Sequence, residues 1–398
     1  MKNVCLLIYD LRSGGAERVI SQWSTLLNDD YKVYMTVFNG ESKVCYSYSG
    51  ELCSLDVPSD NRNLLTKVLI VLKRAFKLRK FVKEKNIDVV ISFCNECNLV
   101  NTVSPHKAKK ICSIRSAADL NSNIFVNHTV KSKQNKIIIQ TRALKEIMGQ
   151  RYGIRVLKKL EVLGNPFNCD KIRELSKEAP PESLKEILET KKTIVHVGSF
   201  KAPKNHANLL RSFEKIADEI KDAYLILIGA DSTGRLESVK QMALKSRFSD
   251  RIIFAGELSN PYSVMSRASV FVLPSLSEGI PNVLAEAMVC GAPVVASNCL
   301  TGPAELLCEN EVEINYTRDG AYFADYGILV KPFEMAAEYD YNDFSKDNQN
   351  FALAAKRVLE DEALNTELRK KAQKGAERFD IEKYKLDLVR LVNKFITE

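Results

Sequence analysis

Short apolar runs alternate with longer amphipathic stretches along the whole chain, and the pattern begins twice. The first series of strand-like runs is Val4–Ile8, Val33–Phe38, Val89–Phe93, Ile111–Ile114 and Lys136–Ile139. The second is Thr193–Val197, Tyr224–Ile228, Ile252–Phe254, Val270–Leu273, Pro293–Ala296 and Gly327–Val330. Helical stretches such as Glu17–Leu27, Leu64–Glu84, Ala207–Glu219 and Pro281–Cys290 lie between them. A strand that is apolar throughout must be covered on both faces, and strand–helix alternation does this with a parallel sheet. Around 164–190 the strands stop and Pro166, Pro180 and Pro181 appear; "TIVHVGSF" then repeats the strand-and-glycine opening of "VCLLIYDLRSGG". The chain is therefore expected to be α/β, with two doubly wound domains over residues 1–165 and 191–380. A linker over 166–190 joins them, and a final helix over 381–398 crosses back toward the first. Each domain should bind ligand at the carboxyl ends of its strands, with the natural site in the cleft between them.

Net charge is +8, but it is divided. Residues 1–165 hold 27 Lys and Arg against 14 Asp and Glu, and the remainder is mildly acidic. A basic half suggests an anionic partner. No apolar run is long enough to span a bilayer and none precedes the first strand as a leader, so a cytoplasmic protein is expected. The ten cysteines are scattered, which favours free thiols. Cys94 and Cys97 have metal spacing but no second pair to complete a zinc site. The polar stretch 338–350 is the one segment where disorder is weighed.

Several strands end in glycine: Gly14-Gly15, Gly198-Ser199, Gly229 and Gly256. Such turns let backbone approach a ligand, and a following helix start favours phosphate. In "GSFKAPKNHANLL", Lys201 and Lys204 precede a helix, where a cation is unfavourable to the helix itself and an anionic partner is plausible. In "SLSEGIPNVLAEAM", Glu278 lies at the mouth of a turn, Gly279 permits a close approach, and Pro281 suits a first helical position. Glu286 lies deeper in that helix. Two carboxylates flanking a helix start match the layout of a nucleotide sugar, whose sugar and ribose hydroxyls bracket a diphosphate. An unrelated loop glutamate and helix glutamate fit the spacing equally well.

The same stretch resembles the E-x7-E motif of the family-4 retaining glycosyltransferases of GT-B fold, with two Rossmann-like domains. "GGAERV", "NPFN", "VGSFKAPKNHANLL", "VFVLPSLSEGIPNVLAEAMVCGAPVVAS", "GPAEL" and "DYGILV" extend the resemblance over nearly the whole chain. It implies that Glu278 binds donor-sugar hydroxyls, Glu286 the nucleotide ribose, and Lys204 the diphosphate. Backbone at Gly279, Ile280, Pro281 and Asn282 would hold sugar and diphosphate. Gly14 and Gly15 would form the loop closing over the donor, and Gly256 to Leu258 would face the base. The family usually has arginine at the position of Ser199, so one phosphate contact is missing or comes from Lys201. Arg115, Ser116 and Asp119 are candidates near the acceptor, with Arg115 as the catalytic choice; His106 is read as a surface residue.

The resemblance implies no cofactor and no metal. In "DYND", Asp340 and Asp343 are one residue too far apart for a D-x-D site. The implied partners are a nucleotide-sugar donor, with UDP favoured, and a polyprenyl-diphosphate-linked saccharide acceptor for capsule, O-antigen or a similar glycan. No nucleic-acid motif is present. A UDP-sugar epimerase of the same architecture and a silent donor-binding subunit are the rival readings. In residues 63–85, Leu65, Val68, Leu69, Leu72, Phe76 and Leu78 form an apolar set. Lys67, Lys73, Arg74, Lys77, Arg79, Lys80, Lys83 and Lys85 are interspersed. Such a helix could lie on an anionic membrane surface at the cytoplasmic face, or turn its apolar side into the core.

Overall fold

The computed structural model describes the chain except residues 13, 42, 60–62, 116, 118, 119, 121, 122, 232, 311, 312, 335–338 and 398, and the side chains of 64 and 123–125. It divides into two compact units, Met1–Pro166 with Ile381–Glu398, and Phe167–Asp380.

The first unit holds seven strands: β1 Lys2–Ile8, β2 Tyr31–Val37, β3 Glu51–Ser54, β4 Val89–Phe93, β5 Lys109–Ile114, β6 Asn135–Ile139 and β7 Leu160–Val162. Their order is β3-β2-β1-β4-β5-β6-β7, all parallel. Alternate residues of one strand feed opposite cores. Val4, Leu6 and Ile8 join Trp23 and Phe93 on one face, whereas Cys5 and Leu7 join Phe81 and Val90 on the other. This double burial is why the strands read as unbroken apolar runs. The helix Ile381–Thr397 packs Leu388, Val392 and Phe395 onto the first of these cores.

The second unit repeats the scheme with β8 Lys192–Val197, β9 Ala223–Ile228, β10 Ile252–Gly256, β11 Val270–Leu273, β12 Val294–Ser297, β13 Ala321–Phe323 and β14 Ile328–Val330. The order is β10-β9-β8-β11-β12-β14-β13, with β13 antiparallel at the edge. Three strands were not legible in the sequence: β3, β7 and β13. All lie at sheet edges and are three or four residues long. An edge strand is half-covered and needs no apolar run. Of the stretch 338–350 where disorder is weighed, residue 338 lies outside the described residues, and the last five residues begin a helix over Lys346–Glu360, opened by a capping box between Ser345 and Asn348.

Candidate functional site

In a doubly wound sheet, ligands bind beyond the strand carboxyl ends where the strand order reverses. In the second unit that point falls between β8 and β11. The loops leaving these two strands carry Ser199, Lys201, Lys204, Glu278, Gly279, Ile280 and Pro281. They are tied together by backbone: Leu276 N–H donates to Pro203 O at 2.8 Å. Asn205, at φ +57°, turns a short 3-10 segment into the helix His206–Glu219. Its side-chain amide donates to Pro274 O at 3.0 Å.

This clamp brings Lys204 Nζ to 2.6 Å from Glu278 Oε1, with the side chains only 20% and 11% exposed. Residues 74 positions apart therefore form one charge-assisted pair. The sequence had assigned them to separate parts of a ligand. Lys201 is exposed, and its N–H donates to Ser199 O at 2.7 Å. The glutamate helix runs over Asn282–Val289 with Pro281 as its cap, one residue earlier than its expected helical place. The helical ladder begins with Leu284 N–H donating to Pro281 O at 2.9 Å. The partial positive charge of a helix start thus falls on the segment that follows Glu278. Glu286 is 3% exposed and accepts a hydrogen bond from Tyr262 Oη at 3.3 Å.

A third loop braces the second. Thr301 Oγ1 donates to the backbone oxygen of Glu278. Gly302 stands at φ +97°, and a Cβ there would lie 2.2 Å from Gly279 O and 2.6 Å from Pro281 Cδ. Neither Thr301 nor Gly302 was singled out from sequence. "TGPAEL" displays a glycine–proline turn, but nothing in it names the loop it presses against. Gly256 closes β10 at φ +71° with open space where a Cβ would be, so conformation alone requires glycine there. Leu258, Tyr262, Ile280 and Val283 pack on one shared apolar cluster. That cluster links the loop after β10 to the glutamate helix.

His196 and His206 were also missed. Both are buried, with ring centroids 5.1 Å apart edge to face, and His206 stacks on Phe200 at 4.5 Å. His196 Nδ1 lies 3.0 Å from Val272 O. Burial pushes His196 down to about 4. Burial, followed by His196 and Lys204, pushes His206 down to about 2. Two neutral imidazoles therefore lie beside the lysine loop.

In the first unit, Gly14 caps and Gly15 opens the helix Gly15–Leu27. Gly14 is extended, at φ −177°. The Glu17 carboxylate folds back over this helix start, 2.0 Å from where a Gly14 Cβ would be. Arg115, just past β5, is buried. It donates to Ser113 Oγ at 3.3 Å and to Asn165 Oδ1, and lies 5.4 Å from the Phe93 ring centroid. Ser116 and Asp119 lie outside the described residues. His106 is half-buried rather than fully exposed: its Nε2 is 3.1 Å from Asn101 Oδ1, and burial together with Lys110 pushes it down to about 4.

The helix Leu64–Glu84 turns much of its apolar set outward. Leu65, Val68, Leu69, Leu72 and Phe76 are 51–76% exposed, whereas Ala75, Leu78, Phe81 and Val82 supply the core. Arg74 is buried too, on Glu96 and Val57 O, so it does not join the surface charge. Asp340 and Asp343 both face the buried Arg211, at 3.2 and 3.6 Å. No helix among the described residues is long and apolar enough to cross a membrane.

Residues 182–333, which contain this site, match the family described as glycosyl transferases group 1. The chain carries a group 1 glycosyl transferase domain. The chain is 28% identical over 356 residues, 81% of its length and 83% of the relative's, to an uncharacterized glycosyltransferase of Methanocaldococcus jannaschii. It is 24% identical, over 98% of its length and 99% of the relative's, to a Campylobacter jejuni enzyme. That enzyme is named N-acetylgalactosamine-N,N'-diacetylbacillosaminyl-diphospho-undecaprenol 4-alpha-N-acetylgalactosaminyltransferase. Among solved structures it resembles sucrose-phosphate synthase from Thermosynechococcus elongatus, with TM-score 0.76, 17% identity and full coverage of both chains. It also resembles Anabaena HepE in complex with UDP and glucose, with TM-score 0.74, 16% identity and coverage of 99% and 100%. The protein is a glycosyltransferase of GT-B fold.

Proposed function

We propose that this glycosyltransferase moves a hexose or N-acetylhexosamine, with retention at the anomeric carbon, from a UDP-linked donor to a lipid-linked saccharide. The product would serve capsule, O-antigen or a related glycan. The Lys204–Glu278 pair at the start of the glutamate helix carries the reading. An ammonium beside a helix start suits a diphosphate, and the carboxylates of Glu278 and Glu286 suit sugar and ribose hydroxyls. The Campylobacter relative's name supports a diphospho-undecaprenol-linked acceptor, and the HepE complex supports UDP.

In the step proposed, the bond from the anomeric carbon to the diphosphate oxygen breaks. The acceptor oxygen bonds to that carbon on the same face, and its proton passes to the departing diphosphate. Lys204 and the helix start offset the charge that develops on the leaving group. Transfer is therefore expected to persist in EDTA. Backbone at Gly279, Ile280, Pro281 and Asn282 holds sugar and diphosphate, Gly256 to Leu258 faces the base, and Ser199 and Lys201 stand where a second phosphate contact is needed. Gly14 and Gly15 are assigned to the donor loop and Arg115 to the acceptor side.

The outward stripe of Leu65, Leu69, Leu72 and Phe76, with exposed Lys67, Lys73, Lys80 and Lys83, is assigned to an anionic membrane surface. Apolar side chains ringed by lysines on one helix suit the headgroup boundary, so peripheral attachment at the cytoplasmic face follows. The test is a panel of UDP-, GDP- and ADP-sugars, each with and without EDTA and an undecaprenyl-diphosphate saccharide. Transfer from one UDP-sugar in EDTA is expected. Sugar interconversion without acceptor, or no binding of any donor, would overturn the reading.

A further inference from the structure

We propose that a lysine-lined cavity at the amino-terminal edge of the first sheet is a second binding site, for a phosphate-bearing anion. The proposal is independent of the donor site. Two basic segments, "HKAKK" and "KQNK", enter the sheet side by side, with Lys110 opposite Asn135 and Ile111 opposite Lys136. Between them lies a cavity of about 510 Å³ whose lining includes His106, Lys107, Lys109, Lys133, Lys136 and Phe395.

Among the described residues, no carboxylate lines this cavity. Among the described residues, Lys107, Lys109 and Lys133 form no ion pair. Another positive group lies just beneath. Lys110 is buried and donates from Nζ to Thr102 O at 2.9 Å and Ser104 O at 2.7 Å. Those are neutral acceptors, and among the described residues no carboxylate pairs with it. His106 cannot take up the role of an anion. Converging like charges repel one another, and a bound anion relieves that repulsion. The Phe395 ring, with Lys136 Nζ 5.6 Å from its centroid, adds an apolar wall for the organic part of the ligand. The location separates this site from any at the strand carboxyl ends: β5 has six residues, which at ~3.3 Å each places Arg115 roughly 20 Å away.

A phosphate group could come from a free phosphorylated metabolite or from a lipid headgroup. The test uses the full chain, a variant with Lys107→Gln, Lys109→Gln and Lys133→Gln, and a control with Lys177→Gln, Lys185→Gln and Lys191→Gln. All six lysines are exposed, so both variants are expected to fold. Binding of inorganic phosphate and glycerol phosphate is measured by calorimetry, and of phosphatidylglycerol vesicles by sedimentation. UDP affinity serves as the measure of an intact second unit. The cavity variant is expected to lose about tenfold in affinity for at least one probe, with UDP affinity unchanged and the control equal to wild type. Loss confined to the soluble phosphates names a free ligand, and loss confined to vesicles names a headgroup. If the cavity variant matches wild type on every probe, or the control loses as much, the proposal is overturned.

Discussion

Replacing Gly302 by alanine tests whether the loop carrying Glu278 is held in place from behind. The new Cβ would lie 2.2 Å from Gly279 O and 2.6 Å from Pro281 Cδ, and even a tight Cβ contact needs at least 3.0 Å. Both neighbours are backbone or ring atoms that cannot swing aside, so the loop must shift by roughly 1 Å. A displacement of that size at a reacting centre costs on the order of 100-fold in rate. The left-handed φ of +97° adds about 1–3 kcal/mol of strain. Gly302→Ala is therefore expected to lower kcat/KM by ~100-fold while leaving Lys204, Glu278 and Glu286 chemically intact. Gly153→Ala is the control, because it has φ +79° and open space at the Cβ position. Its ψ of 178° places it in a region essentially reserved for glycine, so it should lose about 1–3 kcal/mol of stability, with kcat/KM within about twofold of wild type. Sugar transfer and thermal unfolding of the three proteins decide the matter. Wild-type kcat/KM in Gly302→Ala would refute the bracing argument, as would equal activity losses in both variants.

Other perturbations separate the roles within the site. Glu286→Ala should raise the Kd for UDP, and Glu278→Ala should depress kcat more than binding; normal transfer by both would remove the site assignment. Tyr262→Phe removes one hydrogen bond to Glu286, worth about 1 kcal/mol, so UDP affinity should fall about fivefold in calorimetry. Stability should decline as pH falls below the ordinary histidine value of 6.5 toward about 4, because buried His196 resists a proton that the unfolded chain accepts. The contribution is fully present above 6.5 and is lost as pH falls through the folded value, on the order of 3 kcal/mol; His196→Phe should make the pH dependence of the unfolding midpoint shallower, with His206 and His106 supplying what remains. Leu69→Gln with Phe76→Gln should weaken phosphatidylglycerol-vesicle binding about tenfold or more, and unchanged sedimentation would count against the membrane assignment.

The sequence by itself determined the layers of this protein. Apolar runs such as Val4–Ile8 and Val270–Leu273 demand cover on both faces, and a parallel sheet is the arrangement that provides it. It also marked Lys204, Glu278 and Glu286, because each lies in a glycine–proline-rich turn or helix start whose local chemistry is readable. The pairing of Lys204 with Glu278 was decided only by tertiary structure, since it depends on β8 and β11 lying side by side although they are far apart in the chain. The same holds for Gly302 against Gly279 and for Tyr262 on Glu286, contacts between separate loops. The outward turn of Leu65, Leu69, Leu72 and Phe76 was undecidable from spacing, because one helical stripe reads alike whether a core or a solvent faces it. Local sequence sets conformation and composition; which surfaces meet follows from strand order, and strand order is a property of the whole fold.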